Sequence, residues 1–431
     1  MPLFLRTPLW CALSSAMLGL CAQAQTLPNA GQLLENLEQQ RLLRPAPADI
    51  ELRLPAPPTS AADEDGPRIE VQRFAIEGNS AIATADLQAL LQPLEGQSLT
   101  LSQLEAGAAR ITALYRERGY PFAYAYLPEQ TVEAGLVRVS VLEGRLGEVR
   151  IENQSRQREQ VLATPLRQLR RGAVIHADAL DTSLLLLGDV SGTRAKSRLQ
   201  PGADVGTTDL VVRVEDAPLV SGSLGLDNFG NRFTGTARAM GSLQFNGALG
   251  LGEQIHLHTL LSNEHLRNYQ LGYHMPLGPW NTRAGASLSH LNYETGRDFS
   301  ALDAHGSAKV ASIHANQPLV RGRGVNLNAR ITHDQKRLAD HSGAQDSHAR
   351  KRSHLTTLGL NGNWQDSLGG RAASQWDLSW SHGQLRLGSE AQRQWDALTT
   401  GSAGHFQVLN GQLARWQALT GPWSLHGRIN G

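Results

Sequence analysis

The sequence predicts α+β domains followed by an antiparallel transmembrane β-barrel, and three observations support this fold class. Between residues 237 and 275, apolar and polar side chains alternate in segments of about ten residues, the length of a strand in an outer-membrane barrel. Beyond the N-terminus, no apolar run approaches the roughly 18 residues of a spanning helix. Residues 68–217 show helical and strand patterns in turn. A soluble β-sandwich also alternates with period two, but its strands are usually about five or six residues long.

Composition excludes several classes of function. At 431 residues the chain is expected to hold more than one domain, and its net charge of +1 does not predict a nucleic-acid partner. The motifs of P-loop NTPases, serine hydrolases and zinc proteases do not occur in it, so we expect neither an enzyme nor a cofactor. Both cysteines, Cys11 and Cys21, precede the predicted mature chain, which excludes thiol catalysis and cysteine metal sites.

Residues 1–24 are predicted to be a signal peptide. Arg6 supplies the positive charge, Leu9 to Leu20 the apolar core, and Ala22-Gln23-Ala24 the cleavage site. Lipid attachment at Cys21 is a weaker alternative, because Leu20 stands where a small residue is expected. The signal directs the mature chain out of the cytoplasm.

Residues 25–44 contain a predicted short amphipathic helix from Asn29 to Arg44, with leucines on one face. Residues 45–67 hold six prolines and an acidic run, which is the composition of an extended linker. A helix tethered in this way could dock elsewhere in the protein and undock. The alternative is a disordered leader without a role.

Two α+β domains are predicted next, at 68–144 and 145–217. In the first, Thr84 is the expected cap of one helix, and Thr100 or Ser102 opens the next. The same order of elements then repeats, and the parallel between Ile76-Glu77-Gly78-Asn79 and Ile151-Glu152-Asn153 indicates an internal duplication. The predicted elements are strands 69–76, 122–127, 136–142, 146–151, 195–199 and 209–214, and helices 84–94, 102–115, 157–169 and 177–187.

Residues 218–431 are predicted to form the barrel, with polar loops at 340–351 and 388–404. Eleven strands are expected, and several tryptophans fall near strand ends, as in the aromatic girdles of outer-membrane barrels. Because bacterial barrels normally have an even number of strands, and the sequence stops in mid-pattern, we expect a fragment with an incomplete barrel. The predicted strands are 220–227, 235–246, 253–262, 267–276, 281–293, 303–316, 323–334, 353–365, 373–384, 405–418 and 422–430.

Taken in order, these features resemble one family. The motif at 74–79, the barrel opening Gly225-Leu226-Asp227-Asn228-Phe229-Gly230 and the segment 317–327 are similar to those of the TpsB, or hemolysin secretion/activation, outer-membrane transporters of two-partner secretion. The resemblance to this branch of the Omp85 superfamily implies a 16-stranded barrel, two polypeptide-transport-associated (POTRA) domains and an N-terminal plug helix. Val320-Arg321-Gly322 matches part of the family's inward-loop motif, but Arg323 follows it in a strand context, so we interpret it as a chance match. The C-terminus is expected to be truncated.

The resemblance implies a function without catalysis. The protein would reside in the outer membrane of a Gram-negative bacterium, with its N-terminal domains in the periplasm, among lipid and lipopolysaccharide. It would act as a monomer that captures an unfolded TpsA-type exoprotein, a large hemolysin or adhesin, and exports and activates it through the barrel. An Omp85-type factor that inserts other barrels and a passive porin-like channel remain alternatives.

Candidate site residues follow from the patterns. Exposed POTRA edges could bind the exoprotein by strand addition, although these strands could equally only complete their own sheets. The candidates at these edges are Phe122, Tyr124, Tyr126, Ala195 and Arg198. Alternation places a second group on the lumen face of the barrel, where the histidines are expected to line the pore rather than to bind a metal. The pore-lining candidates are Arg238, Gln244, His256, His258 and His274.

Overall fold

A computed structural model describes residues 29–41, 67–296, 300–301, 303–345, 347–421 and 423–431. The predicted signal peptide, and the predicted linker except for Pro67, lie outside these residues. Helix α1 spans Ala30–Arg41, and residues 42–44 of the predicted helix lie outside the described residues. No helix in the described part of the chain is long and apolar enough to cross a membrane.

The first α+β domain packs two helices on a three-stranded sheet. Strand β5 is the central strand, with β2 parallel to it on one side and β4 antiparallel to it on the other. Strands β1 and β3 form a separate antiparallel ribbon. The predicted strand 69–76 is two strands, the second helix begins after a capping box at Thr100, and Thr84 is the first helical residue rather than the cap. The elements are β1 (Arg68–Val71), β2 (Arg73–Glu77), α2 (Thr84–Leu91), β3 (Gln97–Thr100), α3 (Leu101–Glu117), β4 (Tyr124–Tyr126) and β5 (Leu136–Leu142).

The second domain has the same topology, with the sheet order β6-β8-β7. Its first helix is only five residues long, much shorter than the predicted 157–169, because Pro165 follows within a 3-10 turn. The elements are β6 (Arg145–Gln154), α4 (Glu159–Ala163), α5 (Ala177–Gly188), β7 (Thr193–Pro201) and β8 (Thr207–Asp216).

The rest of the described chain forms one antiparallel sheet of eleven strands in sequence order. The expected loop at 340–351 is mostly strand, because β15 and β16 extend far beyond the apolar band, and a helix, α6 (Glu390–Leu398), occupies the expected loop at 388–404. The strands are β9 (Val220–Asp227), β10 (Arg238–Asn246), β11 (Gln254–Ser262), β12 (Arg267–Leu277), β13 (Thr282–Glu294), β14 (Ala304–Arg321), β15 (Val325–Ser342), β16 (Ser347–Asp366), β17 (Ala372–Leu387), β18 (Gly404–Ala418) and β19 (Ser424–Asn430).

The two faces of this sheet differ in polarity. Leu243, Leu257, Leu271 and Leu288 are cross-strand neighbours on one face, which we call the outer face, and between 37% and 60% of each remains exposed. The opposite, inner face carries α1 and is largely polar. An exposed apolar face opposite a polar one is the pattern of a barrel wall in lipid.

Candidate functional site

The inner face of the neighbouring strands β10 to β14 holds α1. Met240, Leu260, Asn268, Leu291 and Ala308 lie in one cross-strand row, and the apolar side of the helix packs on the apolar members of this row. Among the helix residues whose burial is described, Ala30, Leu33 and Leu34 are buried. The apolar residues of α1 lie on one side of the helix. The helix therefore covers part of the inner face of the sheet and does not form a large hydrophobic core with it.

Polar contacts fix the N-terminal end of α1. The Asn29 and Gln32 side chains form a reciprocal capping box, in which the Gln32 N–H donates to Asn29 Oδ1 at 3.0 Å. Asp340 Oδ1, on β15, accepts the Ala30 N–H at 2.9 Å and the Tyr293 hydroxyl at 2.7 Å. A carboxylate at this position satisfies a free helical N–H and complements the helix dipole.

All five pore-lining candidates project from the inner face. Their register shows this directly, since Gln244 opposes His256 and Ser242 opposes His258 across β10 and β11. Arg238 is not open to solvent, because its guanidinium donates to both carboxylate oxygens of Asp227 at 2.7 and 2.9 Å and is buried. The remaining four, Gln244, His256, His258 and His274, are partly or fully exposed.

The edge candidates of the first domain are less uniform. Tyr124 and Tyr126 lie on the end strand β4, half exposed, with ring centroids 5.7 Å apart. Phe122 precedes β4 and packs partly buried against the core of the second domain. The Ala125 N–H donates to Thr112 Oγ1 of α3 at 2.9 Å, so the middle of the β4 edge is already satisfied.

The edge candidates of the second domain lie on β7, the end strand of its sheet. Ala195 is half buried against the domain core, and Arg198 is exposed beside Glu152 at 3.5 Å. In the described part of the chain, the backbone of β7 has no hydrogen-bond partner other than β8. Its nine residues therefore present the longer open edge.

Sequence reasoning missed the junction between the second domain and the sheet. Gln157 accepts the Gly252 N–H at 2.7 Å and donates to the Gly247 carbonyl at 3.1 Å, both in buried surroundings. The Arg158 N–H donates to the Gly250 carbonyl at 2.9 Å. These contacts fix the loop before α4 to the turn between β10 and β11.

A second set of contacts joins α5 to the turn between β14 and β15. Arg321 donates twice to Asp189, at 2.9 Å each, and Thr182 donates to the Arg321 carbonyl at 2.8 Å. Arg323 pairs with Asp181 at 2.9 Å. Arg321, which the sequence suggested only as part of a chance motif match, is thus a junction residue.

Glu143 forms a buried hydrogen-bond cluster that was also missed. Its carboxylate accepts the Ala81 N–H at 2.6 Å, the Tyr115 hydroxyl at 2.8 Å, and the N–H and hydroxyl of Ser80. Burial alone would raise the pKa of Glu143, but these hydrogen bonds outweigh it and lower the pKa below its ordinary value. Burial and the neighbouring carboxylate raise the pKa of Tyr115. The cluster ties the loop after β2 to the end of β5.

Together, two α+β domains attached to an antiparallel sheet with a helix on its polar face define an outer-membrane transporter of the Omp85 type. Comparison with known proteins refines this class. Residues 69–144 match the ShlB-type POTRA domain. Residues 206–429, more than half of the chain, match the haemolysin secretion/activation protein family ShlB/FhaC/HecB. The chain belongs to this family of two-partner secretion transporters.

Curated relatives and solved structures agree with this assignment. The heme/hemopexin transporter protein HuxB of Haemophilus influenzae is 26% identical over 410 residues, which are 94% of this chain and 72% of HuxB. The outer membrane transporter CdiB of Escherichia coli is 29% identical over 57% of this chain and 42% of its own length. The structure of CdiB from Escherichia coli has a TM-score of 0.64 at 20% identity and covers 93% of this chain and 75% of CdiB, which shows a shared fold.

Proposed function

We propose that this protein captures one unfolded exoprotein of the TpsA type in the periplasm and passes it through the barrel to the cell surface, where the exoprotein becomes active. The observation that carries the proposal is the position of α1, because this helix packs its apolar side on the inner face and would occupy the passage of the exoprotein until it leaves. The protein would act as a monomer and catalyse no covalent step.

Strand addition at β7 is our proposal for substrate capture. An extended substrate segment would continue the sheet β6-β8-β7, with main-chain hydrogen bonds supplying affinity. Ala195 and Arg198 would contact its side chains, while Tyr124 and Tyr126 of the first domain would offer a second, aromatic surface. Gln244, His256, His258 and His274 would line the passage, and Arg238 would stiffen its wall through Asp227.

Lipopolysaccharide is the proposed outer-leaflet partner. Lys309, Arg337, Arg352 and Arg386 are consecutive cross-strand neighbours on the outer face, all exposed and without a salt bridge in the described part of the chain. Phosphate groups of lipid A suit such a row of cations. Replacing Arg337 and Arg352 with Gln is expected to reduce the lipopolysaccharide that copurifies with the protein, and unchanged copurification would contradict this contact.

Export is tested by deleting the gene in its host and measuring both the medium and the outer membrane. We expect one large exoprotein to disappear from the medium, while the levels of other outer-membrane proteins stay unchanged. A general loss of other barrels would instead favour an insertion factor. Normal secretion without the gene would refute the proposal.

The plug is tested by planar-bilayer conductance. Leu33→Asp should unseat α1 and raise the conductance, because a carboxylate would replace a buried side chain that is only 5% exposed. Gln32→Glu is the matched control, since Gln32 is exposed and Glu can preserve the capping box. Equal conductance of Leu33→Asp and the wild type would exclude a plugging role for the helix.

A further inference from the structure

Three histidines stand side by side at the ends of β14, β15 and β16. His305 opposes His341, and His341 opposes His348, so the three imidazoles share the outer face of adjacent strands. The ring centroids are 4.6 Å apart in the first pair and 4.2 Å apart in the second. Asp303 precedes β14 and places a carboxylate oxygen 3.7 Å from His305 Nδ1.

The geometry of these side chains points to a metal site. Asp303, His305 and His341 each offer a ligand atom, and these atoms lie within 4.8 Å of one another. In tetrahedral zinc coordination, with Zn–N distances of about 2.0–2.1 Å, ligand atoms stand roughly 3.3 Å apart. Asp303 and His305 are exposed, so small rotations about their χ angles can close the difference.

The surrounding contacts support each ligand. His341 Nδ1 lies 3.0 Å from His348 Nδ1, so one of these nitrogens donates to the other. An imidazole that is hydrogen bonded through one nitrogen presents the other to a metal in a fixed orientation. The Gly343 N–H donates to the Asp303 carbonyl at 3.1 Å, and a Cβ at Gly343 would come within 2.7 Å of Asp303 Oδ2. Glycine at this position thus leaves room for the carboxylate.

The location also suits a site for an external ion. The turn between β14 and β15 contacts the second α+β domain, and the histidines stand at the opposite ends of these strands. Each strand has 18 residues, whereas about 9–11 suffice to cross a membrane. The cluster therefore lies beyond the hydrocarbon layer, on the side away from the periplasmic domains.

We propose that Asp303, His305 and His341 bind one divalent transition-metal ion of the Zn²⁺ class at the cell surface, with His348 orienting His341. Imidazole and carboxylate ligands favour Zn²⁺ and its neighbours over Ca²⁺ or Mg²⁺. The bound ion would connect the loop before β14 to the loop after β15. The site is independent of the export proposal, since its residues lie on the face opposite α1.

Titration of the purified, full-length protein without a polyhistidine tag tests the site. Isothermal calorimetry with ZnCl₂ should show one ion per chain, and His341→Ala should weaken binding by about tenfold or more, because a ligand and its orienting partner are both lost. Asp303→Asn, which preserves side-chain shape, should also weaken it. X-ray absorption of the zinc-loaded protein should show imidazole scattering at roughly 2.0–2.1 Å.

His382→Ala is the matched control. His382 and His405 are stacked neighbours on β17 and β18 with centroids 5.9 Å apart, but the described residues place no third ligand beside them. This variant should bind zinc like the wild type. Absence of stoichiometric binding in the wild type, unchanged binding by both His341→Ala and Asp303→Asn, or an equal loss in His382→Ala would overturn the proposal.

Discussion

The two α+β domains share one topology but secure the same loop differently. In each domain, an acidic residue at the end of the last strand, β5 or β8, accepts a backbone N–H. The donor lies in the loop after the first strand of the three-stranded sheet, β2 or β6. Glu143 accepts the Ala81 N–H in the first domain, and Asp216 accepts the Arg156 N–H at 2.9 Å in the second. The acid is thus part of the shared frame.

The environments of the two acids then diverge. Glu143 is 3% exposed and also binds Tyr115, so the first loop is closed inward. The Asp216 side chain is 41% exposed and pairs with the Arg156 guanidinium. The side chain of the following residue, Gln157, points away from the core of its own domain and bonds to the turn between β10 and β11 of the sheet. A duplicated fold has become one internally sealed domain and one domain joined to the membrane sheet.

Removing the acidic residue should give the largest difference between the two domains in lost unfolding free energy. Glu143→Ala leaves the buried Tyr115 hydroxyl and the part-buried N–H groups of Ser80 and Ala81 without their acceptor, at about 1–3 kcal/mol for each group that water does not reach. We expect a loss of at least about 3 kcal/mol in the unfolding free energy of the first domain, measured by denaturant titration with limited proteolysis. Asp216→Ala should cost less than about 1 kcal/mol, because its ion pair is exposed. Equal losses would contradict the distinction.

The pH dependence of stability tests the same contact of Glu143. Because the pKa of Glu143 is lower in the folded state than in the unfolded state, its carboxylate stabilises the fold above its ordinary pKa of about 4.3. This contribution should be lost as the pH falls from about 5 through the lower folded value. Stability measured against pH in Glu143→Ala should lack this component. An identical pH dependence in the two proteins would exclude Glu143 as its source.

Local patterns predicted the eleven strands of the sheet because alternation persists along each of them. These patterns gave wrong predictions where a polar segment forms regular secondary structure. The residues between Asp340 and Lys351 are polar yet continue two strands, since strand pairing does not require burial beyond the membrane. Within the expected loop at 388–404, Ser389 and Gln392 cap a helix, a signal that was present in the sequence.

The junction could not be predicted in the same way. Gln157 and Gly252 are 95 residues apart, and Arg321 and Asp189 are 132 apart. Such contacts leave no periodic trace in the sequence, because each side is a single polar residue in a loop or at a strand end. The packing of α1 could be predicted in part, since its leucines lie on one face. Its contact with Asp340 could not be predicted.

The buried junction contact should give the next largest effect. Gln157→Leu leaves the Gly252 N–H unpaired in buried surroundings and removes the closer of two donors to the Gly247 carbonyl, at a cost of about 1–3 kcal/mol. We expect earlier thermal unfolding of the second domain and faster proteolysis beside the sheet. Gln168→Leu is the matched control, since among the described residues the Gln168 side chain bonds to Ser183 alone, within the same domain. A smaller effect for Gln157→Leu than for Gln168→Leu would place the critical contact inside the domain.

The ion pair at the other junction should contribute least, and a double-mutant cycle measures it. Arg321→Ala, Asp189→Ala and their combination should give a coupling energy of about 1 kcal/mol, since the pair is bidentate but its carboxylate is 38% exposed. The cycle for Arg323 and Asp181 is the comparison, and its more exposed guanidinium should give a smaller value. Because the described residues of the first domain make no such ion pair with the sheet, Arg321→Ala should leave the unfolding of this domain unchanged. A shift there would show that the two domains respond as one unit.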